Sequence, residues 1–159
     1  MPAEHTYAAR ITWAGNSGTG TSTYKAYTRD YDIACAGKPP IRGSADPAFL
    51  GDPGRHNPED MLVAALSACH MLWYLHLCAA EGVVVTAYED EATGVMRTRA
   101  DGSGEFTNVI LHPRVSITAG SDPETAHDLH AEAHAKCFIA RSVNFPVEHE
   151  AEIVSADSD

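Results

Sequence analysis

The segment from Met61 to Ala80 contains no Asp, Glu, Lys or Arg, and no other stretch of the chain constrains the fold so strongly. By length and composition such a run can cross a bilayer. Its flanks are Glu59, Asp60 and Glu81, so it lacks the Lys and Arg that set orientation and anchor a span at the headgroups. Ser67, His70 and His76 interrupt it, and it lies mid-chain between segments that read as strands. No membrane partner is therefore expected. A helix apolar all round belongs in a protein interior, and 159 residues offer little with which to surround it. A second copy of the chain would supply the missing cover, which predicts a homodimer with this helix inside.

Charge narrows the partners further. Eleven Lys and Arg stand against 22 Asp and Glu, a formal net charge of −11, and nucleic acid requires a basic footprint. With 44% hydrophobic and 21% charged residues the chain can bury a core. Its length is that of one domain, 1–159. Cys35, Cys69, Cys78 and Cys137 form no CxxC motif and no dense framework of the secreted kind. The N-terminal residues lack an apolar signal core, so a cytoplasmic protein with reduced thiols is expected.

Around the uncharged segment the pattern is one of strands and a second helix. Thr6 to Ala14 alternates, with Tyr7, Ala9, Ile11 and Trp13 on one face, and predicts a half-buried strand. Thr21 to Ile33, rich in Thr and Tyr, predicts a second strand folded back on the first as a hairpin. Ala36 to His56, holding Pro39, Pro40, Pro47 and Pro53, reads as a long irregular loop. Asn57-Pro58-Glu59-Asp60 is helix-start chemistry: a capping side chain, a proline suited to the first turn, and carboxylates at the positive end of the helix dipole. The helix is predicted to reach Glu81, stopped by Gly82. Strands follow at 83–91, 95–99, 105–111 and 115–118. A second helix runs from Ser121-Asp122-Pro123-Glu124 to about Lys136, and a last strand covers 147–154. The expected class is α+β.

Among the cysteines, Cys69 lies inside the uncharged helix, where a thiol is ordinarily structural unless a nearby cation favours the thiolate. Its neighbour His70 points about 100° away around the helix. Cys137 follows the second helix between Lys136 and Arg141, the most electropositive sequence around any of the four. Cys78 is about 13 Å along the axis from Cys69, too far to bridge it. Cys35 sits at a strand end.

Two segments carry a family likeness. Asn57-Pro58-Glu59 opens an Ala/Leu-rich helix with a cysteine ten residues after the glutamate, and Lys136-Cys137-Phe138-Ile139-Ala140-Arg141-Ser142 precedes a closing strand. Together they resemble the OsmC/Ohr family over nearly the whole chain. Cys69-His70-Met71-Leu72-Trp73-Tyr74 looks like an OsmC-like branch of it. The resemblance implies an OsmC-like fold, antiparallel sheets packed around a long central helix in an intertwined dimer. It implies a thiol peroxidase acting on organic hydroperoxides, with no cofactor and no metal. Cys69 would be the peroxidatic thiol, and Cys137 would resolve its sulfenic acid as a disulfide that a small dithiol or lipoyl-type reductant reduces. Leu72, Trp73, Met71 and Leu75 would help line an apolar substrate pocket.

The same likeness implies a Glu–Arg pair that holds the thiolate and the peroxide. Glu59 fits the glutamate. It lies about 15 Å along the helix from Cys69, so it would serve the partner's Cys69 or act through a bridging arginine. Arg29, Arg55 and Arg42 are candidates. Arg29 is preferred, because the pattern places it on a strand, and strand-mounted groups hold their geometry.

A different constellation competes. His127, His130, His134 and Cys137 form one stripe on the second helix, and two adjacent members could share a metal. On that reading the chain is a non-enzymatic module binding a metal there, or an apolar ligand near Trp73 and Tyr74.

Overall fold

A computed structural model describes residues 2–156. Its elements are β1 (Arg10–Trp13), β2 (Tyr31–Ala34), β3 (Ile41–Gly43), α1 (Pro58–Glu81), β4 (Val85–Asp90), β5 (Thr93–Thr98), β6 (Gly104–Leu111), β7 (Pro113–Ile117), α2 (Pro123–Lys136), β8 (Val147–His149) and β9 (Glu152–Ser155). The chain divides into two compact units, one ending at Met61 and one beginning at Leu62.

The first unit holds the antiparallel sheet β1-β2-β3. Three expectations are corrected here. The alternating segment is a strand only over Arg10–Trp13, and all four of its residues are exposed. Period-two patterning reports which side chains share a face, and says nothing of whether that face is covered. The Thr/Tyr-rich segment is largely turn, and β2 begins only at Tyr31. Its turn is held by polar groups: Asn16 Oδ1 accepts from the Gly18 and Gly20 amides, and Trp13 Nε1 donates to the Thr28 carbonyl. The expected long loop contains β3 and a short 3₁₀ turn at Pro47–Phe49 capped by Asp46.

Helix α1 starts and stops where local chemistry places it. Asn57 Oδ1 accepts from the Asp60 amide at 2.8 Å, and Pro58 occupies the first turn. At the other end Gly82 adopts φ 77°, and the Val83 amide donates to the Cys78 carbonyl at 2.9 Å. That is a left-handed cap, which glycine forms without steric cost. Helix α2 begins equally locally, with Asp122 Oδ2 accepting from the Thr125 amide and hydroxyl.

In the second unit two three-stranded sheets, β4-β7-β9 and β5-β6-β8, are each completed by a strand from the C-terminal segment. The predicted single strand 147–154 is two strands, with Glu150 and Ala151 stepping from one sheet to the other. β8 pairs β6 in parallel, and β9 pairs β7 in parallel. The sheets are therefore mixed, and only the β4–β7 and β5–β6 pairs are antiparallel.

The larger core joins Tyr74, Leu77 and Cys78 of α1 to Val115 and Ile117 of β7 and to Ala126, Leu129 and Ala133 of α2. A smaller core joins Leu66 to Val109, Leu111 and Val147. Asp90 ties the helix to the sheets, accepting from the Ser67 hydroxyl at 2.5 Å and the His112 amide at 2.6 Å. By length and composition alone α1 is apolar enough to cross a membrane. It is not buried all round, as expected, because the second unit covers only the stripe of Leu66, His70, Tyr74, Leu77 and Cys78. Leu72 on another face is 63% exposed.

Candidate functional site

The uncovered face of α1 carries Cys69 and borders an open groove. Ala65, Ala68, Cys69, Leu72, Trp73 and His76 recur at helical spacing and form one wall of an open groove of about 530 Å³. Phe138 and Ile139, which follow α2, form the other wall. Trp73 meets Phe138 edge to face, with ring centroids 5.5 Å apart. Nearly everything lining this groove is carbon. Of the four apolar residues expected at a pocket, Leu72 and Trp73 line it. Met71 and Leu75 do not, and Leu75 packs against the larger core.

Cys69 is half-buried in this wall, and Cys137, at the C-cap of α2, is 2% exposed. Both are free thiols. Burial pushes the Cys137 thiol up to about 11. The Ala140 amide, 3.5 Å from Sγ, opposes that rise, while Cys69 is near enough to add to it. The cations that flank Cys137 in sequence are occupied elsewhere. Lys136 pairs with Glu132 at 2.8 Å and lies over the Trp73 ring, and Arg141 donates to the Ala135 carbonyl. Cys137 is accordingly a protonated thiol at neutral pH, which corrects the electropositive reading of its surroundings.

The histidine stripe does not survive folding as a stripe. His127 is exposed, whereas His130 is 1% exposed, stacked on Tyr74 with centroids 3.9 Å apart. His130 Nδ1 lies 3.0 Å from His70 Nε2, and His149 stacks against His70. Among the described residues no group of three or more His, Cys, Asp or Glu is arranged to hold a metal. Burial, with the neighbouring histidines, lowers His70 to about 4 and His130 to about 3, so both are neutral.

Within the first unit, Arg29 and Glu59 line one depression of about 260 Å³, together with Tyr31, Ser44, Asp46 and Phe49. Arg29 precedes β2 and is not strand-mounted, which corrects the reason for preferring it. It is held instead by two carbonyls, Tyr27 at 2.8 Å and Tyr24 at 2.6 Å, and by the faces of both tyrosine rings. Arg55 is committed to Asp30, Asp32 and Asp52 at 3.6–3.9 Å and to the carbonyls of Tyr31 and Gly43. Arg42 is exposed on β3, and Cys35 is half-buried at the end of β2.

Sequence reasoning missed Tyr31, His76, Phe138 and Ile139. The spacing of residues 65, 68, 69, 72, 73 and 76 carried a signal for the groove wall. Nothing local marked Tyr31.

A profile of the family described as OsmC-like protein matches residues 51–152. An OsmC-like protein of unknown function from Vibrio cholerae is 32% identical, with 94% of this chain and 100% of that one covered, at a TM-score of 0.84. An organic hydroperoxide resistance protein from Elizabethkingia anophelis is 18% identical over 98% of this chain and 100% of its own, at a TM-score of 0.69. Another, named OsmC, from Legionella pneumophila is 16% identical over 96% and 98%, also at 0.69. These last two share the fold. No curated protein sequence matches significantly.

Proposed function

The chain belongs to the OsmC-like family, and from that membership we propose that it is a thiol peroxidase reducing organic hydroperoxides to alcohols. The observation that carries the reading is a half-buried Cys69 in the wall of an apolar groove, with the Cys137 thiol beside it. The Cys69 thiolate attacks the terminal oxygen of ROOH, the O–O bond breaks, and the alkoxide takes up a proton to leave as ROH. Cys69 is then a sulfenic acid. Cys137 condenses with it, forming a disulfide and releasing water. A small dithiol of lipoyl type exchanges with that disulfide and restores both thiols.

A protonated Cys137 suits this division of labour, since the attacking thiolate must belong to Cys69. The apolar groove favours alkyl or fatty hydroperoxides over hydrogen peroxide. The resemblance assigns Glu59 and an arginine to holding thiolate and peroxide. Arg29 is the arginine we assign, because it lines the Glu59 depression while Arg55 is bound to three aspartates. A homodimer, intertwined as in the family resemblance, accounts for the exposure of Leu72, Phe138, Ile11 and Trp13. A cytoplasmic setting would keep the thiols reduced between cycles.

Treating reduced protein with cumene hydroperoxide and counting thiols tests the mechanism. Of four free thiols two are lost, and Cys137→Ser prevents disulfide formation. Survival of all four overturns the two-cysteine cycle. The apolar groove favours one second reading, an apolar-ligand-binding module without turnover, for which ligand binding persists in Cys69→Ser and no thiol is consumed.

A further inference from the structure

The Arg29 depression contains a third polar group to which no role has been given. Tyr31 and Glu59 line the same cavity. The Tyr31 hydroxyl and Glu59 Oε2 are both buried, and neither has a hydrogen-bond partner among the described residues. Leaving two such atoms unsatisfied costs about 1–3 kcal/mol each, and the arrangement of the ring shows that its position is specified. The Tyr31 ring lies over Gly43, its cross-strand partner on β3, so closely that a Cβ there would come within 2.3 Å of the ring carbon Cζ. Only glycine at position 43 lets the phenol sit where it does. Arg55 then grips the same strand pair from behind, donating to the carbonyls of Tyr31 and Gly43.

We propose that Tyr31 is a positioning residue for Glu59: a hydroxylic guest in the depression accepts from the Tyr31 hydroxyl and donates to Glu59 Oε2, which fixes the carboxylate beside Arg29. The inference rests on the peroxidase reading, in which Glu59 helps hold thiolate and peroxide. A phenol has one proton to donate, and a carboxylate accepts on both oxygens. The depression is larger than the roughly 30 Å³ share of one water molecule, so a hydroxylic guest can bridge phenol to carboxylate. Burial raises the Tyr31 pKa and the Glu59 charge raises it further, so Tyr31 stays a neutral donor throughout the physiological range. Arg29 and Asp46 are the other charged groups lining the cavity. Behind the Tyr31 backbone stands Arg55 with its aspartates, and His56 is bridged to Gly43. All of these are present equally in the variants below.

The test pairs two readouts. Tyr31→Phe keeps the ring over Gly43 and deletes only the hydroxyl. Its KM for cumene hydroperoxide rises several-fold while kcat changes less, because the guest loses the phenol end of its bridge. An unchanged KM overturns the proposal. Independently of turnover, ultraviolet titration of the tyrosines compares wild type with Glu59→Gln. One tyrosine titrates at lower pH once the carboxylate is gone, and that difference disappears in the Tyr31→Phe background. Identical titrations in wild type and Glu59→Gln also overturn it. Should the wild type consume no hydroperoxide, the proposed function fails while the titration still decides whether Tyr31 and Glu59 are coupled.

Discussion

Cys69 and His70 are consecutive on α1 and live in opposite worlds. Cys69 faces an open groove walled by carbon, and His70 is 1% exposed among other imidazoles. One residue of helical advance, about 100°, separates them. The polar side chain is in the core and the apolar side chains are in the groove, the reverse of the usual distribution. A buried polar cluster specifies one packing of α1 on α2 at some cost, and an uncovered apolar face is what binding requires. The helix thus packs a polar cluster on one face and leaves an apolar groove open on the other.

The largest effect expected from breaking this division is at the groove face. Cys69→Ser lowers hydroperoxide turnover by about 10³-fold or more and leaves the unfolding midpoint unmoved. An equal loss of stability would mean that the two faces are not separable.

The histidine face answers to pH instead. His70 and His130, at about 4 and about 3 in the folded protein, are lowered chiefly by burial. The unfolded chain takes up protons below about pH 6.5 while the folded one does not. Stability present above that pH therefore declines as pH falls toward 4, by up to about 3 kcal/mol for each of the two histidines. Urea midpoints at pH 7 and pH 4 measure it, and His130→Leu flattens the decline. A midpoint independent of pH would remove the cluster from the stability account.

A smaller effect is expected where the two faces share a turn. The Tyr74 hydroxyl donates to the Ala126 carbonyl at 2.8 Å. Tyr74→Phe removes that added hydrogen bond, while the Ala126 carbonyl keeps its helical one, and costs about 1 kcal/mol of stability, with turnover per folded molecule unchanged. Smallest is the groove rim. Phe138 is 67% exposed and stands against Trp73. Phe138→Ala raises KM for cumene hydroperoxide several-fold, about 1 kcal/mol, and leaves kcat unchanged. A change in kcat alone would place Phe138 nearer the chemistry than the groove wall.

Much of the fold was legible because it is local. Asn57, Pro58 and Gly82 bound α1 through contacts within one turn of each end, and Asp122 does the same for α2. The failures are non-local. Thr21 to Asp30 has the composition of a strand, yet Asn16 and Trp13 tie that region into turns, which no propensity anticipates. The 147–154 segment has the pattern of one strand, and its division arises because two separate sheets each accept part of it. The sequence pattern puts Arg29 on a strand that it does not occupy, and it shares the Glu59 depression all the same.

By itself the sequence determined the two helices, their ends and the α+β order of elements, since capping and periodicity are written over a few residues. Only the tertiary structure decided that Cys137 meets Cys69, that His130 turns inward to His70, and that Tyr31 joins Glu59 and Arg29. Each of those meetings joins residues from separate elements. Which side chains meet there depends on how whole faces exclude water, a property of the packed molecule that no local run of residues carries.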